Sequence, residues 1–232
     1  SIDDVSELVS AQKHAAWSNV ARYMAHEIKN PLTPIKLSAQ RLEKTFIENQ
    51  TNKKSILDCT DTIKRQVNNI QTLVSDFSNF ARMPESVFKE VKLSKIIETQ
   101  IKTIKILDNK IKFIYKNKFK ELRINCDENQ IGRVFLNILK NSYESSERKN
   151  KVISVQVNIE KKLIVIIIED NGTGFPENRD KLFEPYITNK INGTGLGLAI
   201  CKKIIEDHGG EINLLDSEEY GGACVRLKFL KV

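Results

Sequence analysis

The apolar residues of this chain change their spacing at Met83-Pro84-Glu85-Ser86, and no single uniform fold accommodates both halves. Before the break, Met24, Ile28, Leu32, Ile35, Ala39, Leu42 and Phe46 recur by threes and fours, one helical face close to a heptad seam. This predicts a helix over about residues 11–48, a polar break over 49–54, and then a second helix. The second carries Ile56, Ile63, Ile70 and Phe77 on one seven-residue repeat and Thr60, Val67, Val74 and Ala81 on the other. Two such helices with a short link pair antiparallel. Neither can bury its whole stripe against one partner, so a homodimer closing a four-helix bundle is the economical arrangement. After the break the pattern alternates. Leu122, Ile124 and Cys126, then Ile153, Val155, Val157 and Ile159, then Val225, Leu227 and Phe229 predict half-buried strands. The unbroken run 163–168 predicts a central strand buried on both faces. Helical patterns fall at 94–107, 128–146 and 196–208, the last closed by Gly209-Gly210. The expected fold is α+β, an antiparallel helical hairpin over 11–83 followed by a two-layer α/β sandwich over 84–232. Residues 1–10 are expected to end an upstream module and its linker.

At about 100° per residue, His26 lies roughly 160–200° from both Met24 and Ile28, so it points away from the seam. Arg22, Asn30 and Thr33 share its face, and Glu27 follows it. A solitary surface histidine is most often merely solvated. Here, however, Pro31 and Pro34 stand inside the helical pattern, where each removes a hydrogen bond and strains the preceding turn. Asn30 occupies the place of the second histidine in H-E-x-x-H, which argues against zinc proteolysis.

Composition narrows the classes further. The chain has 232 residues, 40% hydrophobic and 29% charged, an ordinary globular balance for one or two domains. The net charge of +7 comes from scattered lysines without the basic stripe and interleaved aromatics of a nucleic-acid binder. Cys59, Cys126, Cys201 and Cys224 show no C-x-x-C spacing and fall in apolar patterns, as buried free thiols of a reducing compartment do. The longest apolar run is far short of the ~20 residues that span a bilayer. The chain opens with Ser1, so it is expected to be a cytoplasmic piece of a longer protein whose inner-membrane anchor, if it has one, lies elsewhere.

Three stretches of the second half carry polar groups of interest. Asn137 and Asn141 sit four apart at the edge of the helical face Ile131, Val134, Phe135, Ile138 and Ser142. Asparagine is a poor helix-interior residue, and the pair is either surface decoration or a way to aim oxygens at a metal ion. The buried strand ends in Glu169-Asp170-Asn171-Gly172-Thr173-Gly174, an ordinary turn or a carboxylate that a flat ligand can approach closely. Gly193-Thr194-Gly195-Leu196-Gly197-Leu198 opens a helix, baring N–H groups on which phosphates can sit. It is neither a Walker A loop nor a well-spaced G-x-G-x-x-G.

Taken together these residues resemble the sensor histidine kinases over nearly the whole chain. HEIKNP (26–31) looks like the H box, NILKNS (137–142) the N box, DNGTG (170–174) the G1 box, LFEPYITNK (182–190) the F box and GTGLGL (193–198) the G2 box. AWSNVARYMAHEIKNPLTPIKLSAQRL and KKIIEDHGG look like the nitrogen-regulation, NtrY-like branch, and DDVSELV is similar to the junction that follows a PAS sensor domain there. The resemblance implies a Bergerat-type ATP site. Asp170 would take the adenine amino group, with Gly172 and Gly174 giving it room. Asn141, helped by Asn137, would hold Mg²⁺, and in the nucleotide-binding loop of Gly193, Thr194, Gly195, Leu196, Gly197 and Leu198 the backbone N–H groups around Gly195–Leu198 would cradle phosphates. Lys190 would reach the γ-phosphate. His26 would attack in line, with Glu27 accepting a hydrogen bond from its other ring nitrogen, and Asn30 would orient a water for dephosphorylating a response regulator receiver domain. Ser142, Glu144, Asn189 and Asn192 depart from the commoner Ala, Lys, Thr and Gly, and Glu144 puts one phosphate contact in doubt. An ATPase of the chaperone, mismatch-repair or topoisomerase type would not need His26 on a dimeric stem. A degenerate, scaffold-only kinase would not need Asn141, Asp170 and the G2 glycines.

Overall fold

The computed structural model describes residues 2–47, 53–81, 85–146, 148, 150–188, 190 and 193–231, with the backbone alone for 2–23, 26, 72, 76, 77 and 79–81. The chain divides into two compact units, Ser1–Arg82 and Met83–Val232.

In the first unit α1 (Ile2–Ile47) and α2 (Lys53–Ala81) pack on each other as an antiparallel hairpin. Helix α1 starts at Ile2 rather than near Ala11, because Val5 and Leu8 continue the apolar spacing and no Pro or Gly interrupts it. It also runs through Pro31 and Pro34, although Pro31 cannot donate to Glu27 nor Pro34 to Asn30. Of the described side chains here, Met24, Cys59 and Leu73 are the buried apolar ones. Leu32, Leu37, Leu57, Val67 and Val74 stay between 40% and 60% exposed, so one hairpin leaves much of its apolar stripe uncovered. The expected breaks at 49–54 and 83–86 lie largely outside the described residues.

The second unit is built on a five-stranded mixed sheet in the order β2-β4-β5-β7-β6. Strands β2 (Lys112–Asn117) and β4 (Val152–Glu160) run parallel. The pairings among β4, β5 (Leu163–Asp170), β7 (Ala223–Leu230) and β6 (Glu211–Asp216) are antiparallel. As its unbroken run predicts, β5 is central, with Ile164, Val165, Ile166 and Ile168 buried. Helices α3 (Leu93–Leu107), α4 (Glu128–Ser145) and α5 (Gly197–Asp207) form the second layer. The strand predicted at Leu122–Cys126 forms β3 (Arg123–Cys126), which pairs with β1 (Lys89–Lys92) in a ribbon separate from the main sheet. Alternation does not reveal β1, β2 or β6. These are short or lie at an edge where one side lacks a partner strand, so packing imposes less of a pattern on them.

The helix ends place the site. Asp127 caps α4: its Oδ1 accepts the N–H groups of Asn129 and Gln130 at 3.0 Å each, and its Oδ2 accepts that of Val87 at 2.9 Å. The ring of His208, at the end of α5, accepts the Asp127 N–H on Nε2 at 3.0 Å, while Nδ1 lies 2.7 Å from the Ile204 carbonyl. This joins the end of α5 to the start of α4. The predicted stop at Gly209-Gly210 is present, with Gly209 at φ +66° and the Gly210 N–H donating back to Ile205 at 2.8 Å.

Candidate functional site

Asp170 ends the central strand and is 2% exposed. Its Oδ1 accepts two backbone N–H groups, from Gly172 at 2.9 Å and from Ala223 at 3.1 Å, and no described residue donates to Oδ2. The carboxylate is held from below, with one oxygen committed and the other available. Glycines make this possible. A Cβ on Gly172 would meet Asp170 Oδ1 at 3.0 Å, and one on Gly222 would meet it at 2.5 Å. Gly174, at φ +75°, needs the left-handed region itself. The neighbouring Asn171 is structural. Its side chain accepts the Val152 N–H at 2.9 Å and donates to Asn150 O at 2.8 Å, pinning the start of β4.

Helix α4 packs against β5 and buries Ile131, Val134, Phe135, Ile138 and Ser142, the face read from the sequence. Asn137 and Asn141 are half-buried at its edge. The thiol of Cys201 on α5 donates to the Val134 carbonyl of α4 at 3.8 Å, one turn before Asn137. The Asn141 Oδ1 accepts from the Lys190 ammonium at 2.8 Å, and the same ammonium lies 2.6 Å from Glu144 Oε2. Lys190 therefore reaches the predicted metal-binding asparagine, through a contact with Glu144 that the sequence alone did not suggest.

The F-box stretch clasps the glycine loop. Tyr186 takes φ +70°, uncommon for a bulky residue, and donates its N–H to Gly195 O at 3.0 Å. Gly195, at φ +65°, lies so close that a Cβ would stand 2.6 Å from the Tyr186 Cα. Gly193 has no room either, with Thr188 Oγ1 at 2.5 Å from a Cβ there. Thr194 and Leu198 are half-buried, and Leu196 is buried as the N-cap of α5. At Gly197, the first residue of α5, a Cβ would meet nothing within 4 Å, so there is open space beside this residue.

The four thiols are free and buried. Burial raises Cys201 to about 12 and Cys126 and Cys224 to about 11, with acidic neighbours adding to the last two. This makes Cys126, Cys201 and Cys224 packing residues rather than nucleophiles. Among the described residues no helix is long and apolar enough to cross a membrane, and no group of three His, Cys, Asp or Glu is placed to hold a metal ion. On α1, Asn30 Nδ2 donates to Glu27 Oε1 at 3.1 Å, and His26 lies on the same helix with its side chain outside what is described. Sequence reasoning missed Gly222 and Ala223. The Gly-Gly pair just before the alternating strand β7 was the available signal.

A strand-end carboxylate in a cage of backbone N–H groups, beside a glycine loop opening a helix, is the architecture of the Bergerat ATP-binding class. Residues 126–232 match the family model of Histidine kinase-, DNA gyrase B-, and HSP90-like ATPases, and residues 16–86 match that of the His Kinase A (phospho-acceptor) domain. The chain belongs to the sensor histidine kinase family. It is similar to the Nitrogen regulation protein NtrY of Azorhizobium caulinodans, 44% identical over 97% of this chain and 30% of the relative. It is also similar to a Putative sensor histidine kinase NtrY-like of Rickettsia bellii, 39% identical over 96% of this chain and 37% of that one. The chain thus spans about a third of the length of these curated relatives. Among solved structures it resembles the catalytic domain of histidine kinase ThkA, 31% identical with a TM-score of 0.56 over 62% of this chain and 96% of that one. It also resembles histidine kinase ThkA in complex with response regulator protein TrrA, 25% identical with a TM-score of 0.75 over 96% of this chain and 64% of that one.

Proposed function

We propose that this chain transfers the γ-phosphoryl group of ATP to His26 and passes it on to an aspartate of a response regulator receiver domain. The observation that carries this reading is the geometry of Asp170, whose Oδ1 is committed to two backbone N–H groups while Oδ2 is left to accept from the adenine amino group. Gly172 and Gly174 leave room for the base, and the N–H groups around Gly195–Leu198 cradle the phosphates at the start of α5. Asn141 would hold Mg²⁺, which when bound neutralises phosphate charge. Its fit is supported by the Lys190 ammonium already resting on its Oδ1. Asn137, half-buried one turn earlier on α4, would help Asn141 hold the metal. Lys190 then serves the γ-phosphate, and a His26 ring nitrogen forms the bond to phosphorus as ADP leaves. Glu27 orients the imidazole, and Asn30 positions a water that hydrolyses the regulator's aspartyl phosphate, releasing inorganic phosphate.

The exposed stripe of the hairpin supports a homodimer, with the two stems forming a four-helix bundle. Similarity to a kinase structure described in complex with a response regulator supports the partner class. Residues 1–10 continue into a sensor-side linker, and a cytoplasmic location suits both substrates. Incubation with γ-labelled ATP and Mg²⁺ should label the chain through an acid-labile, base-stable bond, and His26→Gln should not be labelled. Label that survives acid, or that persists in His26→Gln, would falsify the assignment.

A further inference from the structure

Two oxygens on one face of α4 converge on a single cation. Lys190 Nζ lies 2.8 Å from Asn141 Oδ1 and 2.6 Å from Glu144 Oε2, side chains three residues apart on the helix and so neighbours on its surface. The other Glu144 oxygen lies 3.8 Å from Lys140, so this carboxylate is flanked by two ammonium groups. We propose that Asn141 Oδ1 and Glu144 Oε2 form one cation point that Lys190 and Mg²⁺ occupy in turn, which makes Glu144 a metal ligand and Lys190 its internal competitor. The proposal rests on the reading of this site as an Mg²⁺–ATP site and goes beyond it, since that reading needs only Asn141.

The donor set is right for the metal. An amide carbonyl oxygen and one carboxylate, completed by substrate phosphates and water, is the hard-oxygen environment Mg²⁺ takes. Mg²⁺–oxygen bonds of about 2.0–2.1 Å ask the two oxygens to move in by roughly 0.5–0.8 Å, which side-chain rotation supplies. The present occupant is easily displaced. Lys190 and Glu144 are 40% and 36% exposed, and an ion pair so open to solvent holds weakly. An ammonium released from Asn141 and Glu144 stays on the same short segment and is free to pair with the phosphates that arrive with the metal. Glu144 thus fills a role other than the phosphate contact that a lysine at this position would make.

The test uses the whole chain with Mn²⁺ as a paramagnetic stand-in, since carboxylate and carbonyl oxygens suit both metals. Mn²⁺ binding is followed by its EPR signal, with and without a non-hydrolysable ATP analogue. Glu144→Gln should weaken Mn²⁺ binding to the nucleotide-loaded chain by about tenfold or more, as losing a charged oxygen from the metal's surroundings does. Lys190→Met should strengthen Mn²⁺ binding to the nucleotide-free chain, because the competitor is gone. If Glu144 only latches Lys190 in place, neither variant changes Mn²⁺ affinity. That result, or both variants shifting in the same direction, overturns the proposal. Binding of a fluorescent ATP analogue in EDTA separates the two readings. Its retention in the unmutated chain and in Glu144→Gln leaves the nucleotide site standing whatever Mn²⁺ does, and its absence in the unmutated chain removes that site and this inference with it.

Discussion

Gly222 lies directly against Asp170: a methyl group in place of its hydrogen would stand 2.5 Å from the Asp170 Oδ1. Two residues far apart in sequence therefore share one space at the mouth of the central strand. Gly222→Ala must push the carboxylate off its backbone donors or shift β7. The expected result is a folded chain with lower stability, by about 1–3 kcal/mol, and weak nucleotide binding. Fluorescent ATP-analogue titration beside thermal unfolding checks this, and an unchanged affinity would mean that Asp170 does not contact the base.

Asp170→Asn separates the cage from the ligand. Its Oδ1 can still accept from Gly172 and Ala223, so stability should change little, whereas an NH₂ group now faces the adenine amino group. Nucleotide affinity should fall by roughly 10–100-fold, the cost of a buried donor left unsatisfied. Asn141→Ala should instead keep metal-free nucleotide binding and lose Mg²⁺-dependent phosphorylation. Equal losses of metal-free binding in both variants would refute this division of roles.

The hairpin predicts its own association. Ile35 and Ile70 are half-buried in a single chain and lie on the two stripes that a second hairpin would cover. Asp at either position places an unpaired charge in that interface, so association should fail. Light scattering should give a dimer for the unmutated chain at micromolar concentration and a monomer for either variant. A monomeric unmutated chain contradicts the four-helix bundle.

Asn30 and His26 should be separable by substitution. Asn30 donates to Glu27 at 3.1 Å, which offers a structural use for its amide besides positioning a water. Asn30→Ala is expected to autophosphorylate nearly normally but to dephosphorylate the regulator slowly. His26→Gln is expected to bind ATP and accept no phosphoryl group. Dephosphorylation at the original rate in Asn30→Ala leaves Asn30 with the structural role alone.

Asp127 links stability to pH. Burial by itself would raise its carboxyl, but the N–H groups of Gln130, Val87 and Asn129, together with nearby His208, outweigh it and hold the group below the usual carboxylate range. A depressed acid stabilises the fold above its unfolded value, near 3.9, and loses that contribution as pH falls through the folded value. The stability gap between the unmutated chain and Asp127→Asn, about 1–2 kcal/mol at pH 7 for the charge and the Val87 N–H bond to Oδ2 that are lost, should therefore shrink below about pH 4. Urea unfolding across pH 3–7 measures it, and a gap constant with pH would show that the charge contributes nothing.

Much of this protein is legible in its apolar spacing because burial is periodic. The stripe from Met24 to Phe46 specifies a helix, the run 163–168 a strand covered on both faces, and Ile131 to Ser142 the buried side of α4. The N-box asparagines, Asp170 and the glycine loop stand out for a related reason. Polar or flexible residues at element ends and edges break a pattern that packing would otherwise maintain. Edge strands β2 and β6 escape this reading, since the sheet pairs them on one side alone.

What only the tertiary structure decided is which distant groups meet. Strand β7 comes to lie beside β5, and that pairing carries Gly222 and Ala223 to Asp170 across 52 and 53 positions of sequence. Lys190 meets Asn141 and Glu144 because the end of the F box folds back over α4. His208 closes α5 onto Asp127 in the same way. Such contacts leave no local signature, because a backbone N–H or a side-chain ammonium looks the same in sequence whatever it bonds. Local propensity and period are properties of neighbours along the chain, whereas a caged carboxylate or a shared cation is created by sheet pairing and layer packing between segments that carry no mark of one another.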